Sequence, residues 1–279
     1  METKTEIDLN LCAEFVRAIA DQLRDEFIPP SADDDIRALV NHLRLKNDEA
    51  NLQLRTELDA RYPHVSWALE ETSLAARKSG SYWIYDPIDG AYHYLQGLPL
   101  WSSSLTLVQN GEPILAMVYD PALREMFTAS AGCGATLNGR AIHVSSKPGL
   151  RTAVLATAIP PTGAGSPQEQ TQALDQLKKL CQRVFVIRQM GSASLQLAYV
   201  AVGRLDGYWE VGHDINDWLA GSLLVCEAGG RVTNFVGSTI SATNDGIIAT
   251  SSGLHEPIRQ ALQMHPVPDL TGCATPEEI

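Results

Sequence analysis

The spacing of apolar residues changes twice along this chain, and those changes limit the folds open to it. From Leu11 to Leu23 apolar residues recur every three or four positions, which predicts an amphipathic helix. In the middle third, short apolar runs flank Asn-Gly pairs at 110–111 and 138–139, which favour β-hairpin turns. After Pro148 strand and helix patterns alternate. The sequence therefore predicts helices, then an antiparallel meander, then an α/β half.

Two details of the helical third are less regular. Apolar spacing predicts a second helix from Asp33 to about Leu45, with Val40 on its buried stripe. A further helical pattern leads to Tyr62, and the segment from Leu45 to Asp48 is predicted to kink or divide the stretch.

Composition and charge exclude several classes of protein. The net charge is −12, from 33 acidic and 21 basic residues, without the basic stripe that a nucleic-acid polymer partner requires. The N-terminus lacks a signal-peptide pattern, and no apolar run reaches the roughly 18 residues of a membrane span. The five cysteines are scattered without a C-x-x-C pair and are predicted to be reduced, mostly buried thiols. We therefore expect a cytoplasmic protein without a membrane partner.

The acidic segment Asp86-Pro87-Ile88-Asp89-Gly90 carries the clearest chemical signal. Two aspartates follow an apolar strand, and Gly90 marks a place where a helix can begin. Clustered carboxylates suit divalent cations such as Mg²⁺, and the free N–H groups of a helix start suit a phosphate. Together they indicate a phosphatase.

Three ordered blocks resemble the inositol monophosphatase family of Mg²⁺-dependent phosphatases. They are Leu69-Glu70-Glu71-Thr72, the segment from Asp86 to Gly90, and Asp217 ahead of Glu227-Ala228-Gly229-Gly230. The likeness spans roughly residues 47–263. It implies a layered α-β-α-β-α sandwich of the inositol monophosphatase and fructose-1,6-bisphosphatase type, and a homodimer. On this basis residues 1–149 hold the helices, the antiparallel sheet and the metal motifs, and residues 150–279 form an α/β half that completes the site.

The resemblance also implies a ligand set for two Mg²⁺ ions, with a third left open. The implied ligands are the side chains of Glu70, Asp86, Asp89 and Asp217 and the carbonyl of Ile88. The same four acidic side chains are the implied catalytic residues. A purely structural interpretation, with Asp86 and Asp89 forming a turn and Asp217 capping a helix, leaves Glu70 unexplained.

Further positions match the substrate-binding segments of the family. The implied phosphate and substrate contacts are Gly90, Ala91, Gly191, Ser192, Ala193 and Glu210. Glu210 falls where inositol phosphatases place a glutamate against sugar hydroxyls, although a surface acid at a strand end is the alternative.

Two positions depart from the family pattern. The family pairs a threonine after D-G with an aspartate on the preceding helix to orient the attacking water, but here Ala91 and Asn47 occupy those places. Neither residue can act as a general base. Asp48 could substitute only through a one-residue shift, which turns a helical side chain by about 100°.

The prediction from sequence is a slow Mg²⁺-dependent phosphomonoesterase acting on inositol monophosphate or a similar small polyol or sugar phosphate. Nucleotide 3′-phosphates, sugar bisphosphates and histidinol phosphate stay open as substrates. The alternative class is a catalytically weakened member that binds metal and phosphate in a regulatory role.

Overall fold

The computed structural model describes residues 7–29, 35–68, 80–160, 165–240 and 245–264. These ranges contain seven α-helices and twelve β-strands. The helices are α1 Leu9–Asp25, α2 Ile36–Arg61, α3 Ala91–Leu95, α4 Pro167–Cys181, α5 Ala193–Ala201, α6 Ile215–Glu227 and α7 Ser252–Gln263. A short 3₁₀ helix covers Leu150–Thr152.

The first sheet has seven strands in simple chain order. They are β1 Ser66–Trp67, β2 Ser81–Asp89, β3 Ser102–Gln109, β4 Glu112–Asp120, β5 Glu125–Ser130, β6 Gly134–Leu137 and β7 Arg140–Ala141. All neighbours are antiparallel except β1 and β2. Asn110 (φ 53°) and Gly111 (φ 87°) turn β3 into β4 in the left-handed conformation that Asn-Gly adopts readily. The predicted meander is confirmed.

The second sheet has five strands and mixed directions. They are β8 Val154–Ala158, β9 Val186–Gln189, β10 Gly207–Val211, β11 Gly230–Thr233 and β12 Gly246–Ser251, in the order β11-β12-β10-β8-β9. The β9-β8-β10 part is parallel, and β12 pairs antiparallel with both β10 and β11.

The elements stack in five layers. Helices α1 and α2 cover one face of the first sheet, and α5 and α6 lie between the two sheets. Helices α4 and α7 cover the outer face of the second sheet. One apolar cluster joins Phe127 of the first sheet, Leu197 and Leu224 of the middle helices, and Ile247 of the second sheet. The predicted α-β-α-β-α sandwich is therefore confirmed.

Packing corrects three local predictions. Helix α2 runs undivided from Ile36 to Arg61, so the break expected near Leu45 is absent. Val40, predicted on the buried stripe, is 48% exposed, because the buried side chains of α2 lie in its C-terminal half. Of the four described cysteines only Cys12 is buried; Cys133, Cys181 and Cys226 are free but exposed.

The boundary predicted near residue 149 separates the strands of the two sheets, while α5 and α6 pack against both. In the described ranges no helix combines the length and apolar character needed to cross a lipid bilayer.

Candidate active site

The acidic segment lies at the end of β2, where the strand becomes irregular. The pairing of β2 with β3 shifts between Asp86 and Asp89. This bulge accommodates Pro87, which has no backbone N–H to donate to the neighbouring strand. Gly90 follows with φ 92° and precedes the single turn of α3. A side chain at Gly90 would place a Cβ 2.9 Å from the Leu100 carbonyl oxygen and 3.0 Å from Ser192 N. Glycine is required here because two backbone segments meet at this point.

Asp89 joins the first sheet to the start of α5. Its side chain is buried, and Oδ2 accepts hydrogen bonds from Ser192 Oγ at 2.7 Å, Ser194 N at 2.8 Å and Ser194 Oγ at 2.5 Å. Ser102 Oγ lies 2.6 Å from Ser192 Oγ and 2.9 Å from Ser194 Oγ. Burial raises the pKa of Asp89, while the serine hydrogen bonds oppose that rise. Sequence reasoning predicted Asp89 and Ser192 but missed Ser194 and Ser102.

Asp86 lies on the same strand as Asp89, and Asp217 approaches the pair from helix α6. Helix α6 begins at Ile215 after Asp214, so Asp217 lies inside the first turn and is not the N-cap. Burial, and then the charge of Asp89, raises the pKa of Asp86 to about 7. Burial, followed by Asp89 and Asp86, raises the pKa of Asp217 well above its usual value. The three predicted acids therefore share one electrostatic environment.

The arrangement is not a closed metal cage. Within the described ranges, which leave out residues 69–79, no group of three or more His, Cys, Asp or Glu side chains lies close enough to hold a metal ion as it stands. Asp89 directs Oδ2 to serine donors, and Asp86 Oδ1 accepts from Ile88 N at 2.9 Å. Glu70 lies outside the described residues. The ligand set inferred from the sequence therefore stays a prediction.

A cavity of about 600 Å³ opens beside these acids. Its described lining is Asn47, Asn51, Arg55, Trp67, Ala68, Trp83, Ile84, Tyr85, Asp86, Asn216 and Asp217. Three of these residues hold a buried polar atom without a hydrogen-bond partner, namely Arg55 Nε, Trp83 Nε1 and Asn216 Oδ1. Buried polar atoms are nearly always bonded in folded proteins, so this cavity is suited to a polar ligand.

Asn47 occupies the place of the family aspartate that helps to orient the attacking water. It lies on the cavity wall that α2 forms. Asp48 is exposed and is not among the described lining residues, because the regular helix turns it away from Asn47. Ala91 is the first residue of α3, next to Gly90. The sequence interpretation that Asp48 replaces Asn47 therefore finds no support.

Glu210 lies at the end of β10 and is linked to the aspartates by charge. Its Oε2 accepts from Tyr208 Oη at 2.5 Å and from Trp218 Nε1 at 2.7 Å. Burial raises the pKa of Glu210 to about 7, against the effect of these two donors. It is not a solvated surface acid, and both Glu210 and Asp89 contribute to the raised pKa of Asp217.

Gly191 fits against the segment that follows α3. A Cβ at Gly191 would collide with the Leu100 carbonyl oxygen and with the ring of His93. The backbone of Gly191, Ser192 and Ala193 is thereby placed beside Gly90, so these predicted substrate contacts lie together at one end of α5.

Comparison with known proteins identifies the family. The model of the inositol monophosphatase family matches residues 5–266. The chain belongs to the inositol monophosphatase family. An inositol-1-monophosphatase of Rhizobium meliloti is 37% identical over 84% of this chain and 86% of its own length. A protein named Nus factor SuhB from Xylella fastidiosa is 42% identical over 68% of this chain and 67% of its own length.

Solved structures of inositol monophosphatase family members share the fold. An inositol monophosphatase from Anabaena (Nostoc) superposes with a TM-score of 0.79 at 29% identity, covering 93% of this chain and 96% of its own. The extragenic suppressor protein suhB of Bartonella henselae gives 0.76 at 28% identity, over 92% and 98%. The family resemblance inferred from three short motifs is confirmed, and both an enzyme name and a Nus-factor name occur among the relatives.

Proposed function

We propose that this family member is a Mg²⁺-dependent phosphomonoesterase acting on inositol monophosphate or a similar small polyol or sugar phosphate. The observation that carries the proposal is the burial of Asp86, Asp89 and Asp217 in one electrostatic environment. Burial raises the pKa of all three; the charge of Asp89 adds to the rise at Asp86, and the charges of Asp89 and Asp86 add to the rise at Asp217. In the described ranges none of the three forms an ion pair with a lysine or arginine. Buried like charges without a counter-charge favour a bound cation.

The donor chemistry fits Mg²⁺, which prefers carboxylate and carbonyl oxygens. Asp86, Asp89 and Asp217 would hold two ions together with the Ile88 carbonyl and Glu70, the last of which lies outside the described residues. Bound Mg²⁺ supplies a water of lowered pKa and neutralises charge on the leaving oxygen.

The chain's own residues bind and orient the ester. The N–H groups of Gly90 and Ala91, at the start of α3, are proposed to donate to phosphate oxygens, with only a short helix behind them. Gly191, Ser192 and Ala193 border this position because they pack against Gly90. This placement would put the phosphoryl group between β2 and α5.

Glu210 is proposed to bind a substrate hydroxyl. Both of its hydrogen bonds end on Oε2, so Oε1 is the atom that would accept from a polyol. Tyr208 and Trp218 hold the carboxylate in place as positioning residues. A glutamate fixed in this way favours a hydroxyl-rich leaving group over one without hydrogen-bond donors.

A panel of phosphoesters tests this assignment. Inositol 1-phosphate, a nucleoside 3′-phosphate, a sugar bisphosphate and histidinol phosphate are hydrolysed in millimolar Mg²⁺ and phosphate release is followed. We expect inositol 1-phosphate to be preferred and Glu210→Gln to reduce that preference roughly 10-fold. Preference for the nucleotide would overturn the role of Glu210. The absence of Mg²⁺-dependent hydrolysis of every ester would overturn the function.

A second candidate is a regulatory, catalytically weakened role. Asn47 lines the cavity but cannot take a proton from water, and neither can Ala91. Relatives named Nus factor SuhB add weight to this alternative. Because family members of both names share the fold, only the chemistry of the site separates the two candidates.

The double variant Asn47→Asp with Ala91→Thr discriminates between them. General-base assistance is typically worth about 10²–10⁴-fold. A joint gain of that size over a measurable wild-type rate indicates a slowed phosphatase. No turnover in the wild type and a gain only in the double variant would indicate a lapsed enzyme. The single variants are the controls, since each restores only half of the pair.

The proposed enzyme acts in the cytoplasm as a homodimer. Both statements are expectations from the sequence and the family. Sedimentation of the purified chain would check whether it forms a homodimer.

A further inference from the structure

The cavity of about 600 Å³ is lined by both acidic and basic side chains. Asp86 on β2 and Asp217 on α6 supply the acidic side. Facing residues come from α2, where Asn47, Asn51 and Arg55 follow one another at four-residue intervals. That spacing puts them on one face of a helix. We call these three residues the α2 wall.

Arg55 is held in the wall by stacking. Its guanidinium carbon lies 5.0 Å from the centre of the Trp67 ring. Trp67 is itself tied to α2, because its Nε1 donates to Asp59 Oδ1 at 2.8 Å. A guanidinium stacked on an indole keeps a defined direction and loses little further freedom when it binds a ligand.

The donors of Arg55 are incompletely used. Nε is buried and has no hydrogen-bond partner, and within the described ranges Arg55 forms no ion pair. The guanidinium stays charged at any physiological pH. A buried N–H of a charged group without an acceptor is costly, and an anion in the cavity would satisfy it.

The other two members of the wall suit an anion as well. Asn47 and Asn51 are neutral amides, and an aspartate at position 47 would instead repel a phosphate or compete for Arg55. Asn51 Nδ2 donates to the Asn47 carbonyl oxygen at 3.0 Å, which fixes its side chain along the helix. The wall therefore combines one fixed positive charge with neutral neighbours.

We propose that Arg55 binds the phosphoryl group of the substrate, donating to its oxygens from the α2 side of the cavity. The proposal rests on the proposed phosphatase function for the nature of the ligand. Arg55 supplies a permanent positive charge at a wall where Asn47 offers no carboxylate to hold an additional cation. The planar guanidinium matches two phosphate oxygens at once, which lysine cannot do.

The test measures binding of inorganic phosphate to the full chain by calorimetry in millimolar Mg²⁺. Arg55→Met keeps the length of the side chain, removes the charge and should weaken binding roughly 10- to 100-fold. Arg55→Lys should recover only part of the affinity, because a paired donor is lost. The matched control is Arg61→Met, since Arg61 also lies on α2 and stacks on a ring, that of Phe15 at 5.3 Å, but is not a described lining residue. This control should bind phosphate as the wild type does.

Wild-type phosphate affinity in a folded Arg55→Met or Arg55→Lys variant would overturn the proposal. If only the melting temperature falls, Arg55 has a structural role and the proposal also fails. The outcomes for the phosphatase function and for Arg55 can be told apart. A chain without turnover whose phosphate binding still depends on Arg55 would contradict the phosphatase function but support the role of Arg55. An active chain whose phosphate binding does not depend on Arg55 would contradict only the role of Arg55.

Discussion

Buried carboxylates occur in two kinds of surroundings in this molecule. Asp120 and Asp206 are each 1% exposed, far inside the fold. Asp120 accepts from two backbone N–H groups and from Tyr199 Oη at 2.8 Å. Asp206 accepts from Lys147 Nζ at 2.7 Å and from Val154 N at 2.6 Å. These acids are stabilised by donors that the chain itself provides.

Of the acids of the candidate site, Asp89 accepts from serine donors, but Asp86 and Asp217 have much less compensation. Asp86 accepts one backbone hydrogen bond at Oδ1, and after burial the charge of Asp89 raises its pKa. Asp217 is surrounded by four acids, all of which raise its pKa. The difference separates carboxylates that stabilise the fold through the chain's own donors from those that we propose a bound cation stabilises.

The largest expected effect comes from Asp86→Asn. We expect loss of Mg²⁺ uptake and a fall in turnover on the order of 10³-fold or more, since this residue belongs to the proposed Mg²⁺ ligand set. Calorimetry with MgCl₂ and phosphate release measure the two quantities. Asp120→Asn is the control, because it alters a buried aspartate outside the described cavity lining and should keep Mg²⁺ uptake. Turnover retained by Asp86→Asn would remove the basis of the proposed site.

The stability of the metal-free protein should respond in opposite directions at the two kinds of acid. Asp206→Asn weakens hydrogen bonds to Lys147 and Val154 and should lower the free energy of unfolding by about 1–3 kcal/mol. Asp86→Asn removes an uncompensated charge and should leave the free energy of unfolding unchanged or raise it. Urea unfolding in EDTA measures both values. Equal losses in the two variants would contradict the distinction.

A smaller effect is expected from pH. The pKa of Asp86 in the fold is about 7, above the 3.8 that is usual for an aspartate, so the folded state binds more protons between these pH values. Stability of the metal-free protein should therefore rise as pH falls from about 8 to about 6.5. The slope should stay under about 1 kcal/mol per pH unit, because solvent screens this half-buried group.

The comparison with Asp86→Asn in the same buffers separates the contribution of Asp86 and of Asp217, whose pKa depends on it, from that of Glu210, whose pKa of about 7 acts in the same window. The window avoids most of the contribution of His255, whose pKa burial lowers to about 4 and whose effect on stability has the opposite sign at lower pH. A wild-type slope identical to that of Asp86→Asn would mean that Asp86 titrates normally.

Much of the fold was predictable because its signals are local. The Asn110-Gly111 turn, the meander around it and the helix at α1 follow from turn sterics and apolar spacing. The extent of β2 did not follow. The sequence predicted that the two aspartates follow the strand, whereas pairing with β3 carries the strand through a bulge to Asp89.

The resemblance of three motifs to the family predicted that Asp86, Asp89 and Asp217 act together, but not the groups that contact them. Burial, followed by the charges of Asp89 and Asp86, raises the pKa of Asp217, while the role of the three acids as metal ligands stays a prediction. No sequence pattern pointed to Ser194, because it donates to Asp89 across a separation of 105 positions in the chain. Arg55 could have been found from its four-residue spacing to Asn51 and Asn47, but only the tertiary structure places this helix face against the cavity.

The sequence by itself determined the order of helices, meander and α/β half, since residue type, turn geometry and periodicity act over a few neighbouring positions. Its acidic motifs resembled those of the family, and that resemblance implied the layered sandwich. Only the tertiary structure decided which polar groups meet, which are compensated, and which remain buried without a partner. Burial and charge environment depend on chain segments far apart in sequence, and these set the pKa of Asp86 and the surroundings of Arg55.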